Sequence, residues 1–421
     1  MEEIKRYKTS DLVLKVNRNY DPAVLPLQDW ERYIDILVNG RQYQKEAIQN
    51  AIIYLASDLY KNTVQLVEEN WNDSKNVELK NRFGSLEEFK KHLQLPSKLS
   101  ATIDLATGTG KSYVIYGIAQ IMLGLGLVDR VLVLCPSLTI EDGLTEKFTL
   151  LSSDSKLLKT IPDSAKWKNP SIKSANVTIK EGDICIENIH AAYETTGSSI
   201  KDSFKGNGQR TLVLNDEAHH IYNKVEGRSA TGKSIKKWKE FLLNPEYEFQ
   251  YILGFTGTAY IDDEYFTDVI YRYSLRQAVD DKMVKMVDYV SKDDDLDKNI
   301  KFQKIYDNHK QNKDHYRKIK PLTILVTKDI KNAKRLTSDL NEFLQKKEGL
   351  SEDEVDKKVL IVTSHNDHKA NIAKLKEVDE DTDSTEWIIS VSMLTEGWDV
   401  KNVFQIVPWE DRAFNSKLLI A

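Results

Sequence analysis

The sequence predicts an α/β protein built on two parallel sheets, and three observations carry that prediction. Short runs rich in Val, Ile and Leu recur, each closed by polar or Gly-containing turns and followed by a longer helix-compatible pattern, as parallel strands with crossover helices require. One such junction, Ala106 to Ser112, joins an apolar run to a helical pattern through a loop with two glycines. A second series of strand-like runs begins only after a highly charged interval.

In chain order, residues 71–97 are polar and helix-compatible and read as an insertion ahead of the first strand. The first strand-like set is 101–105, 130–135, 184–189, 211–215 and 251–255, each too short for a typical helix. A helix-compatible stretch follows at 275–287. Between 291 and 320 the chain is highly charged, with Asp293, Asp294 and Asp295 in a row. Apolar residues there are too sparse for a core, which predicts a surface connection or an exposed helix. The second set, 322–326, 359–362, 387–391 and 403–407, with a helical pattern at 331–346, predicts a second α/β unit.

A length of 421 residues exceeds one ordinary core at roughly 150 residues per domain, so two or three units are expected. With 40% apolar and 30% charged residues, the composition is that of a soluble globular protein. Lys plus Arg number 60 against 65 Asp plus Glu, and the formal charge of −5 lacks the basic excess of many passive nucleic-acid binders. A nucleic-acid motor is compatible with that balance, because it must release its track at every step. Cys135 closes an apolar run where a buried thiol is expected, and with Cys185 as the one other cysteine a reducing compartment is expected. The start, Met1 to Ser10, is charged, and no run of about 18 apolar residues occurs, so a cytoplasmic location with no membrane partner is expected.

Chemistry concentrates at Ala106-Thr107-Gly108-Thr109-Gly110-Lys111-Ser112, between the run 101–105 and a helix-compatible run 113–123. Strand, glycine loop and helix aim consecutive backbone N–H groups and a helix N-terminus at one point, which suits the β- and γ-phosphates of a nucleotide. Lys111 would pair with those phosphates and Ser112 would hold Mg²⁺. The general phosphate-loop pattern wants Gly six residues before the Lys, where this chain has Leu105, so for the loop alone a glycine turn that binds nothing is the alternative. The run 211–215 ends in Asp216-Glu217-Ala218-His219. Burial would penalise two adjacent carboxylates unless a cation shared their charge. Mg²⁺ held by Asp216 supplies it, and Glu217 can polarise the attacking water; a solvated acidic turn capped by His219 is the other reading.

On these residues the chain resembles superfamily 2 DEAD/DEAH-box helicases, and more narrowly the motor subunit of type III restriction enzymes and its relatives in type I systems. The likeness covers most of the chain. Ala106 to Ser112 is similar to the family's first motif, with Thr107, Gly108, Thr109, Gly110, Lys111 and Ser112 facing the nucleotide, and Asp216 to His219 is similar to its DEAH box. Further matches fall in the family's order. Arg41 to Ile48 resembles the segment in which Gln44 would read the adenine, although an ordinary helix start fits the same residues. Pro136 and Ser137 fall where the family touches the nucleic-acid backbone, and Asn188 and His190 fall at a second such place; both are also ordinary strand-end turns. Thr256, Gly257 and Thr258 resemble the motif that couples hydrolysis to movement. Leu394-Thr395-Glu396-Gly397-Trp398-Asp399-Val400 resembles the segment that the family places beside nucleotide (Gly397, Asp399) and nucleic acid (Thr395).

The resemblance implies two RecA-like P-loop domains, the second incomplete, with ATP and Mg²⁺ as cofactors. Double-stranded DNA is the implied partner, together with a DNA-methyltransferase or specificity subunit. The implied division is 1–98 for an N-terminal segment with the adenine-reading motif and insertion, 99–290 for the ATP-binding domain, 291–320 for a charged connection and 321–421 for the second helicase domain. The implied function is an ATP-dependent DNA helicase or translocase motor of a restriction-modification or related phage-defence system. An RNA helicase or remodeller, and an ATP-binding switch or scaffold without appreciable turnover, are the alternatives. The family continues with a glycine-arginine motif whose arginine reaches the γ-phosphate. Arg412 does not match it, and the stop at Ala421 predicts a fragment or one piece of a split subunit. No paired-carboxylate-plus-lysine nuclease site is found, and 377–383 reads as a solvated acidic surface.

Overall fold

A computed structural model of the chain describes residues 12–192, 199–222, 230–261, 264–286, 297–363, 365–375, 377–380, 382–391, 400 and 402–409. It divides into two units, Met1–Met286 and Val287–Ala421.

The first unit carries β1 (Leu99–Leu105), β2 (Arg130–Cys135), β3 (Ser171–Lys173), β4 (Asp183–Asn188), β5 (Thr211–Asp216) and β6 (Tyr251–Thr256), a short antiparallel pair β7 (Tyr260–Ile261) and β8 (Glu264–Tyr265), and β9 (Val269–Tyr273). Apart from that pair, they form one all-parallel sheet in the order β3-β4-β2-β5-β6-β1-β9. A parallel sheet needs cover on both faces, and the pleat divides each strand between two apolar layers. Val131, Val133 and Cys135 join one layer, while Leu132 and Leu134 join the other. Cys185 lies in that other layer, so the two buried thiols face opposite sides of the sheet and remain free.

Helices α1 (Glu31–Val38) and α2 (Gln42–Ala56) precede the sheet, and α3 (Thr63–Asn72), α4 (Val77–Phe83) and α5 (Leu86–Lys91) fill the segment before β1. α6 (Lys111–Gly124) follows β1, and α7 (Leu138–Ser152) follows β2. Side-chain oxygens start three of these helices: Asn62 accepts from the Gln65 N–H, Ser85 from Glu88 and Ser137 from Ile140. From Val114 onward α6 is buried on all sides, packed between the sheet and the α1/α2 pair.

β1 breaks the apolar rule on one face. Ser100, Thr102 and Asp104 alternate along it, all buried, and each has a partner: Thr63 Oγ1 lies 2.9 Å from Ser100 Oγ, Thr102 Oγ1 donates to Asp268 Oδ1 at 3.0 Å, and the Tyr265 hydroxyl donates to Asp104 Oδ2 at 2.9 Å. Buried polar groups without such partners would each cost stability.

Of the helix-compatible stretch 275–287, the structure describes residues up to Met286. The helix covers Leu275–Asp280, opened by a Ser274/Gln277 capping box, and stops where Lys282 takes a left-handed φ of 59°.

The second unit holds β10 (Leu322–Val326), β11 (Val359–Val362), β12 (Trp387–Ser390) and β13 (Val403–Pro408), all parallel, in the order β11-β12-β10-β13. A helix over Ile330–Glu348 starts on Asp329, which accepts from the Asn332 N–H at 2.8 Å, and buries Ala333, Leu336, Leu340 and Leu344. The charged interval takes the helical one of its two expected forms, but that helix is not merely exposed. It spans Lys298–His315, and its Phe302, Ile305, Tyr306 and His309 are buried. These positions follow i, i+3, i+4, i+7, so four residues suffice for one core-facing stripe. His309 bridges Thr323 Oγ1 (2.9 Å) and Glu386 Oε2 (3.1 Å), and Lys313 reaches Glu386 Oε1 at 2.7 Å. Burial pushes the Glu386 carboxyl up, but the hydrogen bonds from His309 and Lys313 outweigh it and hold the group at about 2. Among the described residues no helix is long and apolar enough to cross a membrane.

Candidate functional site

Every strand of a parallel sheet ends on the same edge, which is where such folds hold ligands. Because β5, β6 and β1 are consecutive neighbours, the segments that leave them, beginning at Glu217, Gly257 and Ala106, emerge side by side.

The loop after β1 turns through two left-handed glycines, Gly108 (φ 79°) and Gly110 (φ 78°), and Thr109 ties it shut by donating from Oγ1 to Ala106 O at 2.6 Å. α2 braces it from outside. The Tyr43 hydroxyl and the Gln44 amide both donate to Thr109 O, at 2.8 and 2.7 Å, and a Cβ on Gly110 would lie 2.7 Å from Gln44 Nε2. Tyr43 is itself stacked on Tyr273, with ring centroids 4.0 Å apart. Gln44 is 1% exposed, and its Oε1 is a buried acceptor without a protein partner.

Lys111 opens α6 and points at the end of β5. Its Nζ donates to Glu217 Oε1 and lies 3.8 Å from Asp216 Oδ1. Burial works to depress the Lys111 ammonium, but the charges of Glu217 and Asp216 outweigh it and raise the group above its ordinary value. Burial also drives the Asp216 carboxyl up, to about 6, against the pull of Lys111. Glu217 stands at φ 50°, left-handed for a residue with a Cβ, and its N–H is held by Asp216 Oδ1 at 3.0 Å.

The turn after β6 touches both sides. Thr256 Oγ1 lies 3.0 Å from His219 Nδ1 and accepts from the Thr258 N–H at 3.0 Å, while His219 Nδ1 is 3.5 Å from Glu217 Oε2. On the loop side, a Cβ on Gly257 would sit 3.0 Å from each of Leu105 O, Thr107 N and Thr107 Oγ1. Thr107 to Ser112, Asp216, Glu217 and Thr256 to Thr258 therefore share one edge, with Gln44 against the back of the loop.

A second group lies further along the same edge, at β2 and β4. Cys135 and Asn188 are direct neighbours in the ladder, so Pro136 and Ser137 leave beside Asn188. Ser137 caps α7. The Asn188 backbone N–H and side-chain amide both donate to Glu141 Oε2, at 3.0 and 2.7 Å, and its Oδ1 accepts from the His190 N–H at 3.1 Å. Sequence reasoning missed Glu141, Tyr43 and Tyr273; only Tyr43 lay inside a segment already singled out. Thr395, Gly397, Trp398, Asp399 and Arg412 lie outside the described residues.

The residues present fit a nucleotide with its magnesium. The loop turns through two left-handed glycines ahead of a helix N-terminus, Lys111 already attracts anions, Asp216 is a buried carboxylate beside it, and Gln44 offers an orphaned acceptor. Parallel strands, glycine loop and acid pair define a P-loop protein.

Within that class, the family described as type III restriction enzyme, res subunit, matches residues 37–261, more than half of the 421, and the chain belongs to it. Among solved structures, the chain is similar to a fragment assigned to the HsdR subunit of a type I restriction enzyme from Vibrio vulnificus YJ016, at 18% identity and TM-score 0.49 over 91% of this chain and 61% of that one. It is also similar to the ATP-dependent type ISP restriction-modification enzyme LlaBIII bound to DNA, at 14% identity and TM-score 0.48 over 87% and 25%. The DUF1998 helicase MrfA bound to DNA gives 12% and 0.48 over 93% and 48%. The chain thus spans less than two thirds of each of these proteins. No curated protein matches it significantly.

Proposed function

We propose that this chain is the ATP-hydrolysing motor of a restriction-type system, converting ATP turnover into movement along DNA. The observation that carries the reading is the convergence of Lys111, Asp216 and Glu217 at the mouth of the glycine loop. The loop N–H groups and Lys111 bind the phosphates, Ser112 and Asp216 hold Mg²⁺, and Gln44 Oε1 accepts from the adenine. Magnesium held there would supply charge neutralisation for the phosphates. Glu217 orients the attacking water and takes its proton at a carboxylate oxygen, once Lys111 has exchanged that carboxylate for phosphate. His219, Thr256 and Thr258 register the change at the end of β6. Pro136, Ser137, Asn188 and His190 form the nucleic-acid side, with the Asn188 backbone N–H and one of its two amide N–H groups already engaged by Glu141. Thr395, Gly397 and Asp399 enter this reading through resemblance alone.

Membership of a restriction-enzyme family favours DNA over RNA as the track. The deciding experiment is ATP turnover of wild type and Lys111→Ala with duplex DNA, single-stranded DNA and RNA. Duplex DNA is expected to stimulate wild type most, and Lys111→Ala to show no turnover with unchanged circular dichroism. Turnover unaffected by Lys111→Ala rejects the site; stimulation by RNA alone rejects the track.

A further inference from the structure

Asp104 is a third carboxylate behind the phosphate site, and nothing in the nucleotide reading uses it. It lies in β1 two residues before Ala106, is 4% exposed, and is flanked in the ladder by Thr256 of β6 and Arg272 of β9. Its Oδ2 accepts from the Tyr265 hydroxyl at 2.9 Å and forms an ion pair with Arg272, whose Nε lies 3.2 Å away but makes no hydrogen bond. The Arg272 guanidinium lies over the Tyr265 ring, 5.2 Å from the centroid, and the Tyr265 carbonyl is held from α4 by Arg82 Nη2 at 2.7 Å. The groups whose charge bears on Asp104 are Arg272 and Lys111, the Tyr265 hydroxyl acting through its hydrogen bond, and Lys111 feels Asp104 in return. Burial raises the Asp104 carboxyl, with the Tyr265 hydrogen bond and the Arg272 and Lys111 charges opposing it.

We propose that Arg272 is a positioning residue of the nucleotide site: it offsets the charge of Asp104, to which Tyr265 also donates, so that Lys111 answers to the phosphates and to one acid pair rather than to three carboxylates. This rests on the ATP reading above. Without Arg272, Lys111 is the remaining cation among the described residues whose charge reaches Asp104, and a buried negative charge stands behind the site of the incoming triphosphate. The effect falls on binding, because the carboxylate sits behind the loop and away from the attacking water, and KM should change more than kcat.

The test uses the full chain, binding of a fluorescent ATP analogue with Mg²⁺, and steady-state turnover. Arg272→Gln should weaken binding about tenfold with kcat within about threefold. Arg272→Lys, which keeps the charge but not the planar contact with Tyr265, should bind more tightly than Arg272→Gln. Arg272→Gln with Asp104→Asn should recover most of the loss. Asp104→Asn alone, which leaves Arg272 uncompensated behind the phosphates, should bind several-fold more tightly. It carries the test by itself if Arg272→Gln does not fold. Wild-type binding in Arg272→Gln, no recovery in the double variant, or no tightening in Asp104→Asn overturns the proposal. Failure of the underlying reading is distinct: the wild-type chain would then not bind the analogue at all.

Discussion

Gly257 offers a quantitative test of how closely the turn after β6 supports the glycine loop. A Cβ there would lie 3.0 Å from Leu105 O, Thr107 N and Thr107 Oγ1, two of which are backbone atoms that no rotamer change can move. Ordinary contact begins at 3.4 Å, so Gly257→Ala must open the junction by about 0.4 Å. If displacement of a positioned reacting group costs roughly 10²-fold per Å, this shift predicts about a sixfold loss of ATP turnover. Overpacking of this kind costs about 1–3 kcal/mol, or a fall of roughly 2–10 °C in Tm for a unit of this size. The assays are steady-state ATP hydrolysis with saturating DNA and a thermal melt. Gly143→Ala is the control: it lies in α7 with nothing within 4 Å of the new Cβ, and is expected to leave turnover unchanged and to stabilise by up to about 1 kcal/mol. Wild-type turnover and Tm in Gly257→Ala would refute the claim that β6 and the loop are in rigid contact.

Two further outcomes follow from charge. Glu217→Gln removes the carboxylate that holds Lys111, so turnover should fall at least about 10²-fold while nucleotide binding holds or tightens, as read by equilibrium binding beside the turnover assay; weaker binding with retained turnover contradicts it. Glu386 is held at about 2 against an ordinary 4.5, so its contribution is fully present above pH 4.5 and is lost as pH falls toward 2. Glu386→Gln should destabilise the second unit by about 3 kcal/mol at pH 7 and by less than half of that at pH 3, measured by hydrogen exchange in β12; a pH-independent difference rules out the ionised pairing.

The glycine loop and the acid pair were legible because their spacing is local: strand, turn and helix follow within a few residues, and parallel pairing does the rest by bringing strand ends to one edge. Contacts set by non-local register were not legible. β9 went unread because Val-Ile-Tyr-Arg-Tyr mixes apolar positions with a charge, yet it supplies both Tyr273 against Tyr43 and Arg272 against Asp104. Nothing in the order of residues pairs Asn188 with Glu141, 47 positions away, or turns Gln44 toward the Thr109 carbonyl. The buried face of the helix Lys298–His315 was hidden for another reason. Counting apolar residues undervalues a stripe in which four side chains at helical spacing are enough and one of them is His309.

Glu217's left-handed backbone narrows what this position can become. A φ of 50° costs an ordinary residue roughly 1–2 kcal/mol, and here the Asp216 carboxylate helps to offset it by accepting the Glu217 N–H. Glycine, asparagine and aspartate tolerate the twist best but are too short to meet Lys111 as glutamate does, whereas valine, isoleucine and threonine are rejected by the backbone before their chemistry is tried. Substitutions at 217 are thus filtered twice, once by conformation and once by reach. Glutamine, alike in length and branching, is the exchange that changes the charge with the least change in shape.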